Sequence, residues 1–363
     1  MNTALSARHL SFVLLLAAGL PAQKLSWHDA RSLSVEGQGF IDTEAPYDRL
    51  PARAEAKVRK AVWRLSRHSA GIAVRFVSDA SQLHARWSLT SSRLAMPHMA
   101  ATGVSSLDLY ARDSQGRWRW LACPKATKQK MQARLIAGLP KAKREYLLYL
   151  PLYNGVHTLE LAVPTGSILT KAPPRPKARR KPIVFYGTSI THGACASRPG
   201  MAYPAILGRR FDRPVINLGF SGNGRMELEV AEFLSEIDAA VFVIDCLPNM
   251  NAKQVEARTG PLVERLRKAH PKTPILLVED RNFQDAWLVP SKRKRNESNQ
   301  AALRKQFKRL QAAGVRKLHY LPAAEQLGHD GDGSVDSSHP NDLGFWRQAG
   351  AFEKQLRTLL PSR

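Results

Sequence analysis

Acidic side chains are scarce in this sequence. Thirty aspartates and glutamates face 55 lysines and arginines over 363 residues, leaving a formal net charge of +25. That imbalance raises nucleic acid, anionic membranes and acidic polymers as partners. Cysteine is scarcer still. Cys123, Cys195 and Cys246 are too few for a disulfide framework and lack the CxxC spacing of a zinc or redox site. Apolar runs long enough to span a bilayer, which takes ~20 residues, are also missing. The run Leu10-Ser-Phe-Val-Leu-Leu-Leu-Ala-Ala-Gly-Leu20 follows Arg8 and precedes Pro21-Ala22-Gln23. A basic start, a short apolar core and a small residue at the end describe a secretory signal peptide over residues 1–22, the other reading being an uncleaved anchor. An exported protein with no integral membrane segment after cleavage is expected. What is present, 44% hydrophobic and 23% charged residues, excludes disordered, collagen-like and polytopic membrane chains. The length suggests two domains, each able to bury a core.

Residues 24–166 show period-two alternation rather than helical periods. Gly71–Val77, Leu83–Leu89, Leu107–Arg112, Arg117–Ala122, Tyr146–Leu150 and His157–Val163 read as strands, with Asp113-Ser-Gln-Gly116 and Asn154-Gly155 as turns. Short strands with turns between them predict an antiparallel β-sandwich. Its Trp and Tyr residues either fill the core or contact sugars. Residues 167–182 follow as a basic, Pro-rich linker or surface strap, and the solvated linker is the expected form. No aromatic residue interleaves with these charges, so there is no platform for stacked bases and no nucleic-acid partner is expected.

From residue 183 the pattern changes to strand–helix alternation. Ile183–Gly187, Val215–Leu218, Ala240–Ile244, Ile275–Val278 and Lys317–Leu321 are apolar strand candidates. Met226–Ile237, Lys253–Ala269, Asn299–Ala312 and Leu343–Leu360 are helix candidates. Continuously apolar strands alternating with helices predict a parallel sheet covered on both faces, an α/β layer with its reactive groups beyond the carboxyl ends of the strands.

Four segments fall in such loops. Ser189 follows the first strand in Gly187-Thr-Ser189-Ile-Thr-His-Gly193; it is not a GxSxG elbow, because residue 191 is threonine. Asn217-Leu-Gly219-Phe-Ser-Gly222-Asn-Gly224 follows the second. Its glycines can form a tight turn or present N–H groups to a ligand, as an oxyanion site does. Asn249, in Asp245-Cys-Leu-Pro-Asn249-Met, is either turn chemistry or a side-chain donor to the same oxyanion. In Asp336-Ser-Ser-His339-Pro340 the carboxylate can meet the imidazole within one short loop, fixing its tautomer and stabilising the imidazolium.

Other motifs yield less. Asp330-Gly-Asp-Gly-Ser-Val-Asp336 fails the calcium-loop pattern at Val335 and Asn341 and reads as a flexible acidic turn. Ser291-Lys-Arg-Lys-Arg295 reads as a solvated loop, with a polyanion patch as the alternative. Phe283 and Trp287 line a site wall or pack beneath that loop. Cys195 and Cys246 follow the first and third strands, so a disulfide between them and two separate thiols are both open.

The order Ser189, Gly222, Asn249, Asp336/His339 over residues 182–363 resembles the SGNH (GDSL-like) hydrolase family. The phrases Arg198-Pro-Gly-Met-Ala-Tyr203 and Asp245–Met250 are similar to the subgroup whose N-terminal β-sandwich carries a Gly-x-Asp-Leu-Tyr motif. Here Ser106-Leu-Asp108-Leu-Tyr110 stands at that motif, with Ser106 for glycine. Thr188 stands where the usual motif has aspartate, and Leu247-Pro-Asn249-Met replaces Gly-x-Asn-Asp. The resemblance implies a flavodoxin-like three-layer hydrolase domain over 183–363 behind a jelly-roll-like sandwich. It also implies Ser189 as nucleophile, His339 as general base and Asp336 as its orienting carboxylate. The oxyanion hole would comprise the Ser189 and Gly222 N–H groups and the Asn249 side chain, and no cofactor is needed. The expected function is an exported carboxylester hydrolase acting on an acylated carbohydrate, with acidic polysaccharides suggested by the charge. A lipid, thioester or small-ester hydrolase and an inactive carbohydrate- or polyanion-binding protein are the alternatives.

Overall fold

The computed structural model describes residues 23–360, so the expected signal peptide lies outside the described residues. Ten strands form two antiparallel sheets in the N-terminal region: β1 Leu25–Asp29, β2 Ser34–Glu36, β3 Ala73–Ser78, β4 Leu83–Leu89, β5 Asp108–Arg112, β6 Trp118–Ala122, β7 Lys130–Ile136, β8 Arg144–Tyr149, β9 Val156–Pro164 and β10 Leu169–Lys171. One sheet runs β1-β9-β4-β7 and the other β10-β3-β8-β5-β6, with β2 also on β3. The alternation in β4 shows why they pack: Leu83, Ala85, Trp87 and Leu89 point into a core shared with Phe76, Leu109, Tyr146 and Leu161, while Arg86 faces solvent.

Five parallel strands follow: β11 Ile183–Gly187, β12 Val215–Gly219, β13 Val241–Asp245, β14 Ile275–Val278 and β15 Leu318–Leu321, in the order β12-β11-β13-β14-β15. Helices cover both faces: α3 Ser189–His192, α4 Tyr203–Phe211, α5 Leu228–Leu234, α6 Ala252–Ala269, α7 Pro290–Ala312 and α8 Asp342–Leu359, after α1 Lys60–Ser66 and α2 Ala101–Val104 upstream. The period-two pattern divides each strand between the faces. Val184 and Tyr186 pack toward α5–α7, whereas Ile183 and Phe185 pack toward α4 and α8. Because β11 pairs with β12 on one side and β13 on the other, the chain changes direction at its carboxyl end. Crevices form at such a point, and Ser189 stands there.

Several local expectations are corrected. Residues 40–66 carry α1 rather than strands, and Phe40, Leu50, Val62 and Leu65 join the α5–α7 face of the parallel sheet. The 167–182 segment is a strap rather than a solvated linker. β10 pairs with β3, and buried Arg175 bonds Glu36 at 2.8 Å and Asp212 at 2.6 Å. Ser291–Arg295 is the first turn of α7, with Pro290 at a position where its missing N–H costs nothing. Lys292 pairs there with Asp285, and Arg295 with Asp280 at 3.2 Å. The acidic turn at 330–336 is tied rather than free, since Arg347 bonds both oxygens of Asp330 at 2.8 and 2.6 Å.

The Asp108-Leu-Tyr110 motif docks the two regions. Asp108, fully buried, accepts from the Gly200 N–H at 2.8 Å, Arg198 at 2.9 Å and Trp120 Nε1 at 2.9 Å. Ser106, in place of glycine, is also buried; its hydroxyl donates to Ala101 O and accepts from Ala126 N–H at 3.0 Å. The departure therefore supplies hydrogen bonds instead of disturbing the motif.

Candidate active site

Ser189 is the first residue of α3, reached directly from β11. Thr188 is its N-cap, accepting from the Ile190 N–H, so threonine does the local work of a capping side chain. Gly193, at φ 108°, ends the turn after four residues. Adjacent loops press close against it. A Cβ on Gly224 would stand 1.8 Å from Gly187 O, and one on Gly219 2.2 Å from His192 N, so only glycine permits this approach.

Ser189 Oγ lies 2.8 Å from His339 Nε2, and His339 Nδ1 lies 2.7 Å from Asp336 Oδ2. The other oxygen of Asp336 accepts from the His339 N–H at 2.7 Å and the Ser338 N–H at 3.1 Å. Ser337 takes a left-handed conformation, φ 75°, to close this loop on itself. Burial raises the Asp336 pKa, but the His339 N–H, the imidazole and the Ser338 N–H outweigh it and hold the carboxyl below its ordinary range. An ionised Asp336 places the imidazole proton on Nδ1 and leaves Nε2 as an acceptor toward Ser189.

Gly222, φ 68°, occupies the turn after β12, and a Cβ there would meet nothing within 4 Å. Among the described residues neither the Ser189 nor the Gly222 N–H donates to a backbone acceptor. Asn249 ends a short helical turn after β13. With its amide oriented to satisfy both ends, Oδ1 accepts from the N–H of Asn223 at 3.0 Å and Gly224 at 3.3 Å. The opposite orientation offers a single 3.5 Å contact to Phe220 O, so the first is the better assignment. It leaves Nδ2 free to donate. The turn is anchored from α7 by Arg295 to Pro248 O, 2.7 Å, and Asn299 to Met250 O, 2.9 Å. Two independent hydrogen bonds thus fix the backbone that carries Asn249.

The sequence-expected residues Ser189, Gly222, Asn249, Asp336 and His339 all follow strands of the parallel sheet, Ser189 at the start of α3 and the others on loops or short turns. Several others were not found from sequence. The exposed ring of His98, in the loop after β4, has its centroid 6.2 Å from that of His339, so the sandwich supplies part of the site wall. Tyr153 donates its hydroxyl to Ser189 O at 3.3 Å and stacks on His192, 4.1 Å between centroids. Arg49 is buried without a paired carboxylate. It donates to the carbonyls of Asn217 (3.0 Å), Gly219 (2.8 Å), Leu65 (2.5 Å) and His68 (2.8 Å), bracing the strand end that leads to Gly222. Burial pulls its pKa down to about 9. Beneath α3, buried Asp245 accepts from Tyr203 at 3.0 Å and Thr191 at 3.3 Å, and burial lifts its carboxyl to about 6 despite Arg281 nearby. Cys195 and Cys246 are separate free thiols, which closes the disulfide alternative. Burial pushes the Cys195 thiol up to about 12, so it is a poor thiolate beside a well-placed serine.

No curated protein matches this chain in sequence. The profile of the GDSL-like lipase/acylhydrolase family matches residues 180–357. The profile described as the N-terminus of Esterase_SGNH_hydro-type, GxDLY, matches residues 25–169. Among solved structures, a protein from Bacteroides ovatus described as a GDSL-like lipase is 32% identical, with a TM-score of 0.88 over 93% of this chain and 98% of its own. A salicylyl-acyltransferase from a tetracycline biosynthetic pathway is 19% identical, TM-score 0.73, over 95% and 100%. A family two carbohydrate esterase from Cellvibrio japonicus is 14% identical, TM-score 0.61, over 93% and 99%. The last two are similar in fold.

Proposed function

This chain belongs to the GDSL-like lipase/acylhydrolase family, in its SGNH form with a GxDLY-type N-terminal region, and from that membership we propose an exported serine carboxylester hydrolase that removes short acyl groups, acetyl foremost, from a polysaccharide. The observation that carries the chemistry is the unbroken relay from Ser189 through His339 to Asp336, at 2.8 and 2.7 Å. His339 Nε2 takes the Ser189 proton as Oγ attacks the ester carbonyl. The carbonyl π pair moves to oxygen, and the Ser189 N–H, Gly222 N–H and Asn249 Nδ2 stabilise the charge that develops there. The tetrahedral centre collapses as His339 protonates the departing sugar oxygen, leaving an acyl-serine. Water, deprotonated by the same imidazole, then releases the acid and restores the serine.

Three features support a carbohydrate ester. The expected signal peptide sends the protein where polysaccharides are met, and no helix among the described residues is long and apolar enough to cross a membrane. The sandwich contributes His98 to the site wall, giving a bulky acceptor a surface beyond the nucleophile. The carbohydrate esterase from Cellvibrio japonicus shares this two-part fold. The test is a screen for released acid, read by mass spectrometry, over acetylated polysaccharides and soluble acyl esters of increasing chain length. Acetate released from polymers in preference to small esters is the expected result. A rate that rises with acyl length on lipid-like esters would reject the polysaccharide assignment.

Asn249→Ala is expected to lower kcat on the order of 10²–10³-fold, with little change in KM, as for one oxyanion donor. Steady-state kinetics on p-nitrophenyl acetate measure this. A change of only a few-fold in a normally folded variant would reduce Asn249 to a turn residue.

A further inference from the structure

Part of the positive charge lines a cleft whose lining includes none of the relay residues. A cleft of about 820 Å³ lies between the β5–β6 hairpin of the sandwich and the helices α4 and α8. Eight arginines line it, with Asp212 as the single acidic lining residue. Carboxylates in and behind the wall neutralise only part of that charge. Glu353 serves both Arg210 and Arg357, Asp212 serves Arg112 and Arg179 in addition to Arg175 outside the cleft, Glu145 also serves Arg112, Asp113 serves Arg117 and Asp108 serves Arg198, so five carboxylates stand against eight arginines. Arg209 and Arg213 have no carboxylate partner and donate to carbonyls. A concave wall with one sign of charge focuses potential and gathers anions.

Hydrogen-bonding capacity is left over in the same wall. Arg209 Nη1 and Trp118 Nε1 are buried, and neither has a hydrogen-bond partner among the described residues. Orphaned buried donors of this kind are uncommon and ask for an acceptor. One belongs to a guanidinium packed over the Tyr110 ring at 4.1 Å and the other lies beneath the Arg112 guanidinium, a setting that favours an anionic acceptor over a neutral one.

We propose that this cleft is a binding site for an anionic polysaccharide chain, one bearing sulfate esters or uronate carboxylates, separate from the acyl-transfer site. Its length argues for a polymer over a small ion. Trp346 and Arg357 lie on one face of α8, three turns or about 16 Å apart, and Arg210 and Phe211 continue that face by stacking on them. The stacking argues against nucleic acid. Arg210 lies 4.3 Å from the Trp346 ring and Arg112 4.2 Å from that of Trp118, so guanidinium groups hold one face of each indole that bases would need. The cleft is tied in sequence to the loop after His339: Arg198 follows Ser197, whose N–H donates to Asp342 at 2.9 Å.

The test compares charge-matched variants of the full mature protein, also carrying Ser189→Ala so that binding is read apart from turnover. Arg117→Glu with Arg357→Glu alters two exposed positions in the cleft; Lys272→Glu with Lys308→Glu makes the same change in net charge elsewhere. Titrations use dextran sulfate, polygalacturonate, neutral dextran, polyglutamate and single-stranded DNA near 0.1 M salt. The cleft variant should lose at least about tenfold in affinity for dextran sulfate, polygalacturonate or both, since it removes two guanidinium donors of charge-assisted hydrogen bonds and puts two repelling carboxylates in their place. Which polymer loses most identifies sulfate or carboxylate as the group read. The control pair should lose less than about threefold, the effect of screened long-range charge. Equal losses in both pairs would show net charge alone and overturn the proposal, as would tighter binding of DNA or polyglutamate than of either glycan. In a Ser189 background, p-nitrophenyl acetate hydrolysis should be unchanged by the cleft pair, and Arg117→Gln with Arg357→Gln repeats the test if the reversals perturb folding.

Discussion

Alanine at position 189 should lower kcat on p-nitrophenyl acetate by on the order of 10⁴–10⁶-fold while leaving the melting temperature within a degree or two of the parent protein. The loss is large because nucleophile, base and carboxylate act as a unit, and removal of one forfeits nearly all that the three supply together. What survives comes from the oxyanion donors and from binding, neither of which needs the hydroxyl. The fold should be indifferent for local reasons. Among the described residues the only side-chain hydrogen bond of Ser189 is to His339, and the cap of α3 is provided by Thr188. Alanine is also the best helix former. Kinetics and thermal unfolding on the same preparation separate the two effects. Undiminished turnover would remove the serine mechanism, and lost turnover with a melting temperature lowered by many degrees would make Ser189 a structural residue.

Much of the fold was legible because its strands carry their own periodicity. β4, β11 and β14 begin and end where alternation or an apolar run begins and ends. The missed elements carry a weaker signal. β7, Lys-Met-Gln-Ala-Arg-Leu-Ile, alternates polar and apolar side chains, but as an edge strand it buries only Leu135 fully, and Ala133 adds little apolar contrast to its long polar neighbours. The start of α7 reads as a solvated loop because its buried face is made of Asn296, Asn299 and Gln300 instead of leucine. Those amides are buried because they have partners: Asn299 holds the Asn249 turn, and Asn296 bonds Asp280 and Arg281 O. Hydropathy cannot find a helix whose core contacts are hydrogen bonds.

The candidate site was legible for a related reason. Ser189, Gly222 and Asn249 each stand just beyond an apolar strand, and Asp336 and His339 fall within one loop, so strand ends alone bring them together. His98, Tyr153 and Arg49 carry no such mark. They lie in the N-terminal region, separated from Ser189 by 36 to 140 positions, and reach the site through long-range docking: Asp108 on Arg198 and Gly200, and residues 40–65 on the α5–α7 face. The sandwich is therefore more than an appendage. Through Tyr153 it holds the carbonyl of Ser189 itself, while Arg49, on the segment between β2 and β3, braces the strand end leading to Gly222.

Asp336→Asn should cost on the order of 10³–10⁴-fold in kcat, more than Asp336→Ala does. The carboxylate accepts at both oxygens: from the His339 and Ser338 N–H groups through Oδ1 and from the imidazole through Oδ2. An asparagine keeps its oxygen on the two backbone donors, because only oxygen can accept there, and so turns its NH₂ toward His339 Nδ1. That amide can only donate, which forces the imidazole proton onto Nε2. The atom facing Ser189 Oγ at 2.8 Å then becomes a donor and cannot take the serine proton. Alanine imposes no tautomer, and some of the population retains an accepting Nε2. Side-chain exposure near 47% lets water reach Asp336, which softens its electrostatic contribution but leaves this geometric argument intact. Comparison of kcat for the two variants checks it, with the imidazole nitrogen shifts read by NMR in a Ser189→Ala background. An asparagine variant as active as the alanine one, or one whose imidazole keeps its proton on Nδ1, would mean that Asp336 holds the loop in place without governing the proton.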